Sequence, residues 1–168
     1  MKMRTLLVSA GLLTLAGAQA QISNGIGIRG GYYLGDRFDG LHLDGFELGA
    51  DLTLFHLGLV DIRLSPTVVF GGSAAHGSDT DGNIYRITAG AKFSTPGQPW
   101  YGVVGTGFAA TENRGGKQFD TTSGAIGQLT LGYNAGTKLG VLQTYYELSY
   151  FFGDSQLSGV AFDIGVKF

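Results

Sequence analysis

The sequence predicts an all-β protein, an eight-stranded antiparallel up-and-down transmembrane β-barrel. Three observations predict it. Apolar and polar residues alternate in eight segments, most of them 10 to 12 residues long, with Gly, Asp, Asn and Pro between them, and that is the length a tilted strand needs to cross a bilayer. Charged residues make up 14% of the chain, against about 25% in ordinary soluble domains. Within the alternating segments, every charge falls on one face.

Residues 1–20 stand apart from this pattern. Lys2 and Arg4 form a short positive region, Thr5 to Gly17 an apolar stretch, and Ala18-Gln19-Ala20 a small-x-small site. That order is that of a cleaved secretory signal peptide, with Gln21 beginning the mature chain. The apolar run is too short for a membrane anchor, which needs about 20 such residues. Residues 21–168 are then a single barrel domain without linkers or a low-complexity tail.

The strands are expected at 24–34, 45–55, 59–70, 84–93, 100–110, 124–134, 141–152 and 159–168. The connections 35–44, 71–83 and 111–123 are polar and Gly-rich, and that at 153–158 is brief. Those at 56–58, 94–99 and 135–140 are short turns. With an even strand count and both termini in the periplasm, the loops face outward and the turns inward. Pro66 interrupts the third strand and lacks a ladder donor, which predicts a bulge or kink there.

Face by face, the second strand sets Phe46, Leu48, Ala50, Leu52 and Leu54 against Glu47, Gly49, Asp51 and Thr53. The third sets Val60, Ile62, Leu64, Val68 and Phe70 against Asp61, Arg63, Ser65 and Thr67. The fourth opposes Tyr85, Ile87, Ala89, Ala91 and Phe93 to Arg86, Thr88 and Lys92. The seventh opposes Leu142, Tyr146, Leu148, Tyr150 and Phe152 to Gln143, Glu147 and Ser149. A soluble lipocalin-like barrel would turn its charges outward. Here Arg29, Arg63, Arg86, Lys92 and Lys167 are matched by Glu47, Asp51, Asp61, Glu147 and Asp163. Five bases cancelling five acids is what burial in a lumen requires, because an unpaired buried charge costs several kcal/mol, roughly. The apolar face then meets lipid.

Aromatic residues mark two levels. Tyr32, Phe46, Phe70, Tyr85, Phe108, Tyr150 and Phe152 fall near the outer strand ends; Phe93, Trp100, Tyr133 and Phe168 fall near the inner ones. These are the interfacial girdles of a membrane barrel. The fifth strand is ambiguous by periodicity, and placing Trp100 and Phe108 outward completes both girdles.

At the C-terminus Val160, Phe162, Ile164, Val166 and Phe168 alternate up to a terminal phenylalanine. This resembles the insertion signal that ends bacterial outer-membrane barrels and is read by the barrel-assembly machinery. Phe168 matches the terminal aromatic, and Val166 stands where many members carry an aromatic. The mature chain is similar to the small OmpA/OmpX/OmpW-type barrels. The resemblance implies an outer-membrane location, surrounding outer-membrane lipid, and contact with the export and barrel-assembly machinery during biogenesis.

Other motifs yield to plainer readings. Gly25-Ile26-Gly27-Ile28-Arg29-Gly30 matches a dinucleotide fingerprint, but lies inside a strand rather than between a strand and a helix. Gly25, Gly27 and Gly31 instead leave interior room for long side chains. An acyltransferase or lipid A deacylase would need His and Ser together. Only His76-Gly77-Ser78-Asp79 offers them, in a Gly-rich loop with nothing to orient the base. The paired carboxylates have no cleft for a sugar in so narrow a barrel. His42, His56 and His76 sit in three separate connections, which argues against a metal site. The chain has no cysteine, which excludes thiol catalysis and zinc-thiolate sites. Its net charge of -2 becomes more negative without Lys2 and Arg4, so nucleic acid is not a partner. No cofactor is expected. The sequence thus predicts a non-enzymatic structural or surface-interaction barrel with a charge-paired lumen. A narrow channel for small or apolar solutes is the alternative, and a lipid-modifying enzyme the remote one.

Overall fold

β-branched and aromatic residues at every second position, broken by Gly, Pro and Asn, make strands of these segments. The computed structural model describes residues 25–36, 43–71, 80–116, 122–139, 142–154 and 156–168. Among them are β1 (Ile26–Gly35), β2 (Gly45–Leu57), β3 (Val60–Gly71), β4 (Thr80–Ser94), β5 (Trp100–Gly116), β6 (Ser123–Leu139), β7 (Leu142–Phe152) and β8 (Gly159–Lys167). Each pairs antiparallel with its sequence neighbour, and β1 pairs with β8, so the barrel closes. The last rung is made by Phe168, whose N–H donates to the Ile26 carbonyl at 2.9 Å.

The expected eight-stranded antiparallel barrel is therefore the observed one, with differences at strand ends. β4 and β5 continue as a ribbon until Thr80 stands opposite Gly116, taking in residues expected as loop. The stretch 135–140, expected as a turn, is strand as far as Leu139, with a register shift between Asn134 and Lys138. Glycine and polar residues lower strand propensity, but an antiparallel ladder already started overrides that preference. Gly58, Gly97 and Gly136 have φ near +67°, +76° and +66°. Gly58 and Gly97 lie in short connections and Gly136 at the irregular end of β6, each in a conformation that costs glycine alone nothing.

Pro66 makes no bulge in its strand. Gly49 stays opposite Thr67 and Leu52 opposite Leu64, so the register is the same on both sides of it. The irregularity lies between Thr53 and Phe55 of β2. There the extra residue sends both Leu54 and Phe55 to the exposed face, as a bulge does.

Away from these irregularities, side chains alternate in and out of the barrel. Ile28, Leu48, Val104, Leu131, Leu148 and Ile164 are all exposed on the outside. Phe46 stands level with Tyr32 on one side and Phe70 on the other. Trp100 and Phe108 point outward, and Trp100 meets Tyr133 edge-on at 4.8 Å between centroids. Phe93 and Phe168 are exposed near the same end, while Tyr85, Tyr150 and Phe152 are exposed toward the other.

The interior has three layers. Tyr33, Val69, Ile84, Ala109, Ile126, Phe151 and Ala161 form an apolar cluster at the end bearing the longer loops, completed by Leu43 and Leu157. A charged layer follows, and a small recess lies at the short-turn end. Large inward side chains rest on glycines of neighbouring strands. A Cβ on Gly132 would overlap the Tyr101 ring, and one on Gly165 the Tyr145 ring. Gly132→Val should thus destabilise the barrel by about 1 to 3 kcal/mol, the usual cost of overpacking. Gly102→Val should be near neutral, because a Cβ there meets nothing closer than 3.9 Å. Urea unfolding midpoints in lipid vesicles check the contrast; equal midpoints for the two variants would contradict the packing.

Candidate functional site

The charged layer is assembled by strands whose inward positions come level as the barrel tilts. Arg29 of β1 is its centre. Its Nη1 donates to Asp163 Oδ2 at 2.5 Å and lies 3.3 Å from Glu47 Oε1 and 3.8 Å from Glu147 Oε2. Its Nε is 3.6 Å from Asp51 Oδ1, and its Nη2 donates to Thr67 Oγ1 at 2.9 Å. One guanidinium thus faces carboxylates from β2, β7 and β8. Gly49 makes room for it, since a Cβ there would come within 3.1 Å of Arg29 Nε.

Arg63 of β3 donates through Nη1 to Glu147 Oε1, with Nη2 3.4 Å from Oε2 and Nε 3.6 Å from Asp51 Oδ1. Arg86 of β4 donates to Glu47 Oε2. Its guanidinium lies 3.8 Å from the Phe151 ring centroid and 4.6 Å from that of Tyr33. Both rings belong to the apolar cluster, so a cation–π contact joins the two layers. The acids are further held by hydroxyls. Ser65 and Tyr145 each donate to Asp51 at 2.7 Å, and Tyr101 donates to Glu147 at 2.8 Å. A smaller chain from Gln128 through Thr130 to Ser149 ties β6 to β7. All seven charged groups are buried; Glu47 and Asp163 have no exposed surface at all.

The ten expected lumenal charges do not form one network. Seven do, three arginines with four carboxylates. Asp61 instead engages the His56 imidazole across the β2–β3 hairpin. Lys92 Nζ lies 3.7 Å from the Tyr101 ring centroid. Among the described residues, no carboxylate is within ion-pair distance of Lys92 or Lys167. These three lie toward the short-turn ends of their strands, where the rim is partly open and pairing is not obligatory.

Two features escaped the sequence reading. The inward tyrosines Tyr33, Tyr101 and Tyr145 sit beside outward aromatics, which hides their role. Their signal is the facing glycine: Gly159, Gly132 and Gly165 each lie under one of these rings. The apolar layer was hidden because an inward Val69, Ile84 or Ile126 looks like noise in an otherwise polar face. His42, His76, Ser78, Asp79 and residues 1–20 lie outside the described residues. Among the described residues, no three His, Asp or Glu side chains gather as a metal site would require.

No protein-family model and no curated protein matches the sequence. Solved structures do. Neisserial surface protein A is 13% identical with a TM-score of 0.58, covering 86% of this chain and 94% of that one. The Yersinia pestis outer membrane protein Ail, in a phospholipid bilayer nanodisc, is 17% identical with a TM-score of 0.53, covering 87% and 100%. The N-terminal β-barrel domain of Pseudomonas aeruginosa OprF is 16% identical with a TM-score of 0.52, covering 87% and 98%. The fold is that of the small eight-stranded outer-membrane barrels.

Removing one member of the charged layer tests its cohesion. Arg63→Met leaves Glu147 and Asp51 short of a cation in a buried setting, a loss of about 3 to 5 kcal/mol. Lys92→Met, outside the network, should cost far less. Paired urea titrations of the refolded variants check this; an Arg63→Met midpoint equal to wild type would remove the network from any structural role.

Proposed function

We propose that the protein is a small bacterial outer-membrane β-barrel with a structural, envelope-stabilising or surface-interaction role, whose lumen is closed to ions. The observation that carries the closed lumen is the stacking of the apolar cluster directly on the buried charged layer. An ion crossing it would have to displace Arg86 from between two aromatic rings and break paired charges that no bulk water can solvate. The outward apolar surface with its aromatic girdles supports a lipid environment. The same reading takes residues 1–20 as an export signal cleaved after Ala20, and residues 21–168 as the mature barrel. Its partners are outer-membrane lipid and, during biogenesis, the export and barrel-assembly machinery. Function is then carried by the loops and the outer wall rather than by transport or catalysis.

Fractionation and conductance test the proposal together. The mature chain should be recovered with the outer membrane and released only by detergent, and the refolded protein should conduct little or nothing in a planar bilayer. Steady openings whose ion selectivity changes in Arg63→Met, at unchanged stability, would replace this reading with that of a narrow channel.

Insertion should depend on the final residue. Phe168 contributes one ladder bond and an exposed ring, so its deletion leaves nearly all barrel contacts in place. We expect periplasmic accumulation or degradation of the deletion variant. Wild-type amounts of heat-modifiable barrel would show that Phe168 is no assembly signal.

A further inference from the structure

Below the charged layer, at the short-turn end, the lumen holds a recess of about 20 Å³. Lys92, Lys167, Arg63, Asn134 and Thr53 are among its lining residues, as is one carboxylate, Asp51. Lys92 stands near the short-turn end of β4 and Lys167 at that of β8, so two ammonium groups approach one space from different walls.

The acids nearby are already engaged. Asp61, level with Lys92 in the β3–β4 register, is held by His56. Asp51 accepts from Ser65 and Tyr145 and faces Arg29 and Arg63. Glu147 accepts from Arg63 and Tyr101. Among the described residues, the side chains of Lys92, Lys167, Thr53 and Asn134 have no hydrogen-bond partner. Four donors therefore border the recess, two of them cationic, with no acceptor assigned to them. Lys92 is steadied by the Tyr101 ring, and a flexible lysine stem lets its ammonium turn to whatever enters.

We propose that this recess binds one small anionic group, a carboxylate or a phosphate, entering from the short-turn rim. In the outer-membrane orientation that rim faces the periplasm. The volume admits little more than a water-sized group without movement of the lysines. The ligand is thus a free ion or the anionic tip of a flexible chain whose body stays outside. The site lies on the near side of the charged layer and does not require the lumen to be open or closed.

The test uses the refolded mature protein in uncharged detergent at constant ionic strength, followed by NMR. Three probes are titrated: inorganic phosphate, a short N-acetylated peptide with a free C-terminal carboxylate, and the same peptide with an amidated C-terminus. We expect saturable shifts at Thr53, Lys92, Asn134 and Lys167 with phosphate, with the carboxylate peptide, or with both, and none with the amide. Phosphate alone identifies a free ion as the occupant, and the carboxylate peptide alone a tethered one. Lys92→Gln/Lys167→Gln should weaken binding by about tenfold or more, the loss of charged hydrogen bonds. Lys92→Arg should retain it, and unchanged shifts at the far end of the barrel will show that both variants are folded. Shifts that never saturate, that scatter over the surface, that appear equally with the amide, or that persist in the double variant would overturn the proposal.

Discussion

A lumen only eight strands wide has no room for bulk water, so any charge placed inside must find its counter-charge in the protein. The structure meets that constraint through Arg29. Its guanidinium stands within 4 Å of four carboxylates drawn from three other strands. Those carboxylates in turn position Arg63 and Arg86, and the hydroxyls of Ser65, Tyr101 and Tyr145 donate to two of them, Asp51 and Glu147. Glycine at position 49 follows from the same need, because a side chain there would take the space that the guanidinium uses. The composition of the inner wall is a consequence of where one arginine sits.

Closure and interior charge support each other. The β1–β8 pairing that seals the barrel brings Arg29 and Asp163 onto adjacent strands, two register positions apart. Ladder bonds alone would permit other registers. A shift of one residue between the two strands would turn one of them over, sending Arg29 or Asp163 toward lipid and Ile28 or Ile164 toward the lumen. The charged layer therefore penalises register errors in a way that the interchangeable leucines and isoleucines of the outer wall do not.

Much of this was legible in the sequence, for a physical reason. Period-two alternation reports which face meets lipid, and the charges report which face does not, so the eight strands could be read, with the inward and outward sets of the strands that carry charge, while the fifth strand, chargeless over 100–110, stayed ambiguous. Strand ends were less legible. The β4–β5 ribbon runs on through Gly- and Asn-containing sequence because pairing, not propensity, sustains it. Pro66 pointed to a bulge that lies instead between Thr53 and Phe55, because the strand carries the proline without changing register. The charged residues were identifiable as a set, but their partners were not. Partner choice depends on barrel tilt, which brings Arg63 of β3 to Glu147 of β7 across the lumen, and no periodicity encodes that. The separation of Lys92, Lys167 and Asp61 from the network has the same origin, since height within the barrel decides which charges must pair.

The same division explains how structures only 13% to 17% identical share this fold. The outer wall asks only for apolar character at alternate positions, with aromatic residues near the two interfaces. Leu, Ile, Val and Phe exchange there at little cost, because lipid is a fluid partner and not a packed one. The inner wall asks that volumes fill and charges cancel, and many different sets of residues satisfy that condition. Neither demand preserves residue identity at particular positions, though both preserve strand number, closure and the alternation itself. Fold is then retained while sequence drifts, and likeness of fold carries no information about what the loops recognise. The residues that distinguish this protein from another barrel must be sought where neither lipid nor lumenal packing dictates the side chain. Those places are the outer connections and the partly open inner rim, where Lys92 and Lys167 stand without the carboxylates that burial would have demanded.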